Sequence, residues 1–266
     1  MKLAICLPFI FTLALAGQQP DTAPKASPEV TDAINAGARA FRAGRYADAA
    51  TSFRKAIELD PNNQRAHLDL GTAYASQVVP NLDTPANISA ATLAVAEFET
   101  VLKINPDNLV ALRQEAAVYR NIKDLNKSKA LEKRTIAIDP SDFEAIYTIG
   151  VIDWMQAYAN AVKILATEDL KDDGQGNVKQ SSATCEAMRA ANTELVDDAI
   201  ANLSRAVDLK PDYADAMVYL NLIFRRRADV HCGDAAAVAN DLRLAREWSE
   251  QAAKVRQQPA PAPPPT

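Results

Sequence analysis

Glycine is scarce in this sequence, with 8 of 266 residues, about 3% against a usual ~7%. Sandwiches, barrels and dinucleotide-binding folds need glycine at tight turns and phosphate loops, so a glycine-poor, alanine-rich chain points to helix. A basic excess is missing too. Lys and Arg number 29 against 34 Asp and Glu, for a net charge of −5. That leaves nothing to neutralise a phosphate backbone and sets nucleic acid aside as a partner. Histidine occurs only at His67 and His231. Gly-x-Ser-x-Gly, the P-loop and His-Glu-x-x-His are absent, so no enzyme activity, metal or cofactor is implied.

Long apolar runs are also lacking, apart from Leu3 to Ala16 behind Met1-Lys2. As a helix, those 14 residues span about 21 Å, short of a ~30 Å hydrocarbon core. One positive charge, an apolar stretch and Ala14-Leu15-Ala16 before Gly17-Gln18-Gln19-Pro20 form a secretory signal, residues 1–16, with cleavage expected after Ala16. The mature chain is then expected to be exported, periplasmic or extracellular, with no integral membrane segment. Residues 17–29, with Pro20, Pro24 and Pro28, read as a disordered linker. Residues 256–266, with Pro259, Pro261 and Pro263-Pro264-Pro265, read as an extended, disordered tail, because proline blocks helix and donates no hydrogen bond.

Between these ends the punctuation repeats. Leu59-Asp60-Pro61, Ile104-Asn105-Pro106, Ile138-Asp139-Pro140 and Leu209-Lys210-Pro211 share one form, with prolines 45, 34 and 71 residues apart. These are one period of 34, plus 11, plus nothing, plus 37. Gly37 to Gly71 is again 34, and Gly71 to Gly150 is 79, or two periods plus 11. Two independent marks agree on the period and on where the first insertion lies.

A 34-residue pair of amphipathic helices closed by proline resembles the tetratricopeptide repeat (TPR) family. In the clearest unit, Val30 to Asn63, Ala36-Gly37 let the helices close in and Gly44-Arg45-Tyr46 makes the turn. Ala49, Phe53 and Ala56 form the buried stripe of the second helix, and Pro61 ends it. The second unit has Leu70-Gly71, Tyr74, Ala94, Phe98 and Val101. In the third, Ser128, Glu132 and Thr135 replace the apolar stripe, and Ala130-Leu131 point to a stripe moved by one residue. The fourth has Ile149-Gly150, Ala199, Leu203 and Ala206. The fifth, with Tyr213, Leu220, Ala245 and Ala252, caps the stack. The resemblance implies an all-α, right-handed solenoid of about five helix-turn-helix units over residues 30–255.

Two insertions individualise the chain. The first, near 76–89, reads as a surface loop ending at a helix N-cap, Ser89. The second, near 157–195, splits the fourth unit. Its first helix continues through Trp154, Tyr158, Val162 and Leu165, Lys171 to Asn177 turns the chain, and a new helix starts after Ser181 or Ser182. An extended helical hairpin projecting beyond the array is expected.

Removal of Cys6 with the signal leaves Cys185 and Cys232. An even pair in an exported chain points to a disulfide tying the hairpin to the last unit, worth about 3–4 kcal/mol. Free buried thiols or a redox pair are the alternatives. His231-Cys232 with Asp229 and Asp234 lacks the ligand count for zinc. Asp169 to Gln180 fails as a calcium loop at Lys171 and Gln180.

In this family the first helices line a concave surface that binds extended peptides or a partner's helix. Carried onto this chain, that surface includes Ile34, Ala38, Phe41 and Arg42, then Arg65, Leu68 and Thr72, then Arg113, Arg120 and Asn121. It continues through Tyr147, Val151 and Trp154, and ends with Val218, Leu222, Arg225 and Arg226. Ile34 and Ala38 stand where a carboxylate clamp needs Lys and Asn, so that specialised function does not carry over. Arginines beside aromatics suit a partly apolar, acidic segment. The expected function is a non-enzymatic scaffold of a bacterial-type envelope that holds a protein or peptide partner in this groove. The alternatives are an envelope assembly factor acting through the hairpin and, from another class, a thiol or metal enzyme around Cys185, His231 and Cys232.

Overall fold

The computed structural model describes residues 27–177 and 179–257. The expected signal, most of the linker and the proline tail from residue 258 lie outside the described residues. Ten helices and no strand occur among them: α1 (Pro28–Arg42), α2 (Tyr46–Leu59), α3 (Gln64–Ala75), α4 (Pro85–Ile104), α5 (Leu109–Asn121), α6 (Leu125–Ile138), α7 (Phe143–Ala166), α8 (Ser182–Leu209), α9 (Ala214–Val230) and α10 (Ala235–Gln257). Helix therefore begins at Pro28, inside the stretch read as linker, where the Ser27 side chain accepts from the Val30 N–H. It continues to Gln257 at the other end.

The four proline corners are equivalent. A residue before proline is pushed out of the α region, and Asp60, Asn105, Asp139 and Lys210 have φ of −144°, −136°, −124° and −137° with ψ of 88°, 95°, 91° and 88°. Three residues on, the N–H groups of Asn63, Asn108, Asp142 and Tyr213 donate back to those residues' carbonyls at 3.1, 3.2, 3.1 and 3.0 Å. Asn63, Asn108 and Asp142 then cap the next helix, their side chains accepting from Ala66, Ala111 and Ala145, each worth about 1 kcal/mol.

Within each pair, closeness comes from glycine. A Cβ on Gly37 would lie 2.5 Å from the Phe53 ring, one on Gly71 2.7 Å from Phe98, and one on Gly150 2.6 Å from Leu203. These partners lie 16, 27 and 53 residues after their glycines, so the excesses of 11 and 37 fall between the two helices of a pair, as the sequence arithmetic predicts.

Buried residues form a string of local clusters along the array instead of one centre, the pattern of a stacked solenoid. Each helix packs on its neighbours in sequence. First helices also meet one another (α1 with α3, α3 with α5, α7 with α9), while successive second helices make no comparable contact. Crowding on one side and spreading on the other put the first helices on the inside of the curve.

Three local expectations are corrected. The helix after the first insertion starts at Pro85, not beyond Ser89. Pro85 fits the first helical position, and Thr84 Oγ1 accepts from the Asn87 N–H at 3.3 Å. Asn87 also holds the preceding loop through Val79 and Leu82. The buried stripe of the third unit does not move: Ser128, Glu132 and Thr135 are all buried, with Leu131 beside them. The hairpin of α7 and α8 is present but does not stand free, because its turn folds onto α9.

Candidate functional site

At the amino-terminal end of the inner face, Phe41 and Arg42 from α1 meet Arg65, Asp69 and Thr72 from α3 around a cavity of about 190 Å³ floored by Phe53. The period of 34 places these side chains on adjacent first helices. Arg65 Nε donates to Asp69 Oδ2 at 2.6 Å, and Arg42 is exposed. Leu68 is half-buried against the core of the second unit.

In the middle of the groove the arginines are tied down. Arg113 donates to the buried Asp142 carboxylate, from Nε at 2.8 Å and also from Nη2, and so clamps α5 to the start of α7. Arg120 Nη1 lies 3.9 Å from Glu132 Oε1. Burial pushes the Glu132 carboxyl up to about 7 although Arg120 favours its charged form.

Toward the carboxy-terminal end, aromatic rings take over. Tyr147 lies 4.9 Å from Tyr213 and 5.7 Å from Tyr219, Trp154 lies 5.2 Å from Tyr219, and Trp154 stacks on Tyr158 at 5.6 Å. Phe143 extends the run beyond Tyr213, and Lys210 sits over both rings. Such ring pairs are worth about 0.5–1.5 kcal/mol each beyond their buried area. They fill the seam between α7 and α9 while remaining half-exposed. Burial raises the hydroxyl pKa of Tyr147 and Tyr219, and that of Tyr213 to about 12, with the Asp215 charge adding to each. All three are neutral phenols, hence donors.

Arg225 faces its own chain, donating from Nη1 to the Gly174 carbonyl at 2.8 Å. Arg226 Nη2 donates to Asp172 Oδ1 at 2.7 Å, and its Nη1 lies 2.8 Å from Asp229 Oδ2. Asn177 Nδ2 donates to Asp229 Oδ1 at 2.8 Å. Two carboxylates thus share one buried guanidinium. Burial pushes Asp229 up to about 7 against the pull of Arg226. Burial also raises Asp172, but hydrogen bonds and charge from Arg226 outweigh it and leave the carboxyl below its ordinary value.

Cys185 and Cys232 are joined as a disulfide, Cα atoms 5.8 Å apart, and neither is a free thiol. Arg189 reinforces the tie by donating to the Val230 carbonyl at 3.0 Å. His231 Nδ1 lies 2.6 Å from Asp241 Oδ2, and Arg227 Nε donates to Asp241 Oδ1 at 2.8 Å. Among the described residues, no three His, Cys, Asp or Glu side chains are placed to hold a metal ion. Nor is any helix long and apolar enough to cross a membrane.

Sequence reasoning missed Tyr219 and the latch around Arg226. Tyr219 follows the expected groove residue Val218, at the repeat position that Asp69 occupies in the second unit, so the period could have found it. The Asp172–Arg226–Asp229 latch joins an insertion to a repeat, and no period relates the two.

Residues 37–78 match a family model described as TPR repeat. No curated protein matches the sequence. Among solved structures, MamA from Desulfovibrio magneticus RS-1 (residues 41 to the end) is 18% identical with a TM-score of 0.55, over 85% of this chain and 98% of that one. Another MamA crystal structure is 16% identical with a TM-score of 0.55, over 88% and 98%. YrrB, described as a TPR protein with an unusual peptide-binding site, is 15% identical with a TM-score of 0.51, over 85% and 91%. At these identities the likeness is one of fold. Residues 37–78 thus carry the tetratricopeptide repeat in sequence, and the same proline corners continue through the described residues, which form an all-α solenoid with the fold of these tetratricopeptide-repeat structures.

Proposed function

We propose that this chain is a non-enzymatic scaffold of the cell envelope that binds an extended, partly apolar and acidic polypeptide along its inner face. One observation carries the reading: exposed arginine beside a small aromatic-floored cavity at one end of the groove, and a run of half-buried rings at the other, both lie on the first helices of their pairs. A preformed groove lowers the ordering cost of binding, arginines supply charge-assisted hydrogen bonds, and rings supply apolar area. The peptide-binding description of YrrB is in keeping with it. The disulfide supports export, since such bonds persist in oxidising compartments.

In-cell photo-crosslinking from Arg120 and Trp154, with the exposed Leu93 on the second helix α4 as control, tests the groove. Capture of one polypeptide from both groove positions and not from Leu93 is expected. Capture only from Val162 on the hairpin moves the contact there, a reading favoured by the exposure of Tyr158 and Val162, and sinks the groove. Sequencing the amino terminus of the cell-derived protein tests export, with Gly17 expected first.

A further inference from the structure

The aromatic end of the groove has the chemistry of a polyproline site, and this chain carries such a segment beside it. We propose that residues Gln258–Thr266 form an intramolecular ligand of the Tyr147–Trp154–Tyr158–Tyr213–Tyr219 cluster and occupy it when no partner is bound. The proposal rests on the groove reading and adds a regulator to it.

Three observations converge. The first is the exit point. Arg256, next to the last described residue, donates from Nη2 to Asp215 Oδ1 at 3.0 Å, so α10 ends beside the start of α9. Asp215 is close enough to Tyr147, Tyr213 and Tyr219 for its charge to raise all three hydroxyls. The segment therefore leaves the solenoid at the edge of the cluster.

The second is reach. Nine residues, five of them proline, cover about 28 Å as polyproline II. Tyr147 to Tyr158 on α7 spans about 16 Å, so the segment reaches across the run.

The third is hydrogen-bonding polarity. Prolines present carbonyl acceptors and no N–H donor. Among the described residues, burial and neighbouring charges, with no hydrogen bond, account for the raised hydroxyls of Tyr147, Tyr213 and Tyr219, and Trp154 is donor-only. Rings able to lie against prolyl faces, with donors beside them, are what proline-rich ligands use. The segment carries no charged side chain, whereas the proposed partner is acidic, so the two respond differently to salt.

The test uses the full chain with Trp248→Phe, leaving Trp154 as the fluorescent reporter. Its partner variant also has Pro259, Pro261, Pro263, Pro264 and Pro265 replaced by Ser. A free peptide of sequence 258–266 with blocked ends is titrated into both. A millimolar effective concentration of the attached segment should make the peptide bind about tenfold more weakly to the native-tail chain than to the serine variant. Trp154 should also be less quenched by acrylamide with the native tail, at any protein concentration and equally at low and high salt. Tyr219→Ala should abolish peptide binding in a chain whose melting is unchanged. Should Tyr219→Ala alter the melting, Tyr219→Phe, which keeps the ring and removes the hydroxyl donor, should still weaken peptide binding severalfold, and an unchanged affinity would overturn the proposal.

Equal affinities, or no binding to the serine variant, overturn the proposal. Protection of Trp154 that grows with protein concentration assigns the site to a second copy's segment and also overturns it. If the peptide fails to bind while Arg120 and Trp154 still crosslink a polypeptide, the regulator falls and the groove stands. If neither occurs, both fall.

Discussion

The second and third units of the solenoid share one backbone plan and opposite interiors. Where the second buries Leu70, Ala94, Phe98 and Val101, the third buries Glu115, Ser128, Glu132 and Thr135 at the same repeat positions. Glu115 Oε2, Ser128 Oγ and Thr135 Oγ1 find no hydrogen-bond partner among the described residues, each a cost of about 1–3 kcal/mol. Yet α5 and α6 pair as α1 and α2 do, and the corners at Pro106 and Pro140 match those at Pro61 and Pro211. Repeat geometry is therefore set by the corners, their caps and the small residue facing the second helix, while the energy of the interior is free to vary. The third unit is held largely by its flanks: Arg113 to Asp142, and Lys129 Nζ to the fully buried Asp153 at 2.5 Å.

The largest expected effect sets these two interiors against each other. Phe98→Ala should cost about 3–5 kcal/mol, because it empties the volume packed on Gly71. Glu132→Ala, at the equivalent position, should cost far less or stabilise, because it removes a buried carboxylate with only a long contact to Arg120. Urea midpoints of the two variants measure the difference. Equal losses would mean the third unit relies on its interior after all.

The carboxy-terminal pair offers a second contrast, with a covalent tie in place of periodic packing. The loop closed by Cys185–Cys232 has a sequence separation of 47, for which chain entropy predicts about 3–4 kcal/mol. Cys185→Ser with Cys232→Ser should lower stability by up to that amount. Amide exchange should accelerate in α8 and α9 and stay unchanged in α1 to α4. Uniform acceleration would show the array melting as one unit and erase the distinction.

What was legible in the sequence follows the same division. Pro61, Pro106, Pro140 and Pro211 and the three helical glycines act through local backbone rules that recur every 34 residues, so the solenoid and both insertions could be read from spacing. The disulfide was legible because removal of Cys6 with the expected signal leaves a single cysteine pair. The polar residues of the third unit were visible too, but the inference that the stripe would shift to Leu131 assumed that apolar burial decides register. The corners decide it, and the polar side chains go inside. In the groove, the period found Phe41, Arg42 and Arg65 together. It had no means of indicating that Arg113 is spent on Asp142, or that Arg225 is spent on Gly174 in an insertion outside the repeat.

The polar interior makes a prediction in pH. Burial raises Glu115 and Glu132 from 4.5 to about 7, with Glu99 adding to Glu115. The folded state then holds these protons more tightly than the unfolded one. Their stabilising contribution is complete below about 4.5 and is lost as the pH climbs through 7. Between pH 5 and pH 8 stability should therefore fall, seen as a lower melting temperature. Glu115→Gln with Glu132→Gln should flatten most of that slope, leaving the part due to Asp153 and Asp229, which move in the same direction. A slope unchanged in the double variant would place the titration at Asp153 or at the hairpin latch and not in the third unit's interior.

The smallest effect isolates the turns from the interiors. In the first unit Gly44 takes φ of 72° between paired helices, and in the third unit Lys123 takes φ of 65° at the same point. The bonding agrees, with Arg45 N–H to the Ala40 carbonyl at 3.0 Å and Asp124 N–H to the Tyr119 carbonyl at 2.9 Å. A side chain in left-handed backbone costs about 1 kcal/mol. Lys123→Gly should therefore stabilise by roughly 0.5–1 kcal/mol after the added chain entropy of glycine. Gly44→Ala should destabilise by a similar amount, and purely through the backbone, since a Cβ there meets nothing within 4 Å. Reciprocal shifts in urea midpoint would establish that the two turns are energetically one element. If Lys123→Gly destabilises instead, the Lys123 side chain makes a contribution of its own, and the turn of the third unit differs from that of the first as much as its interior does.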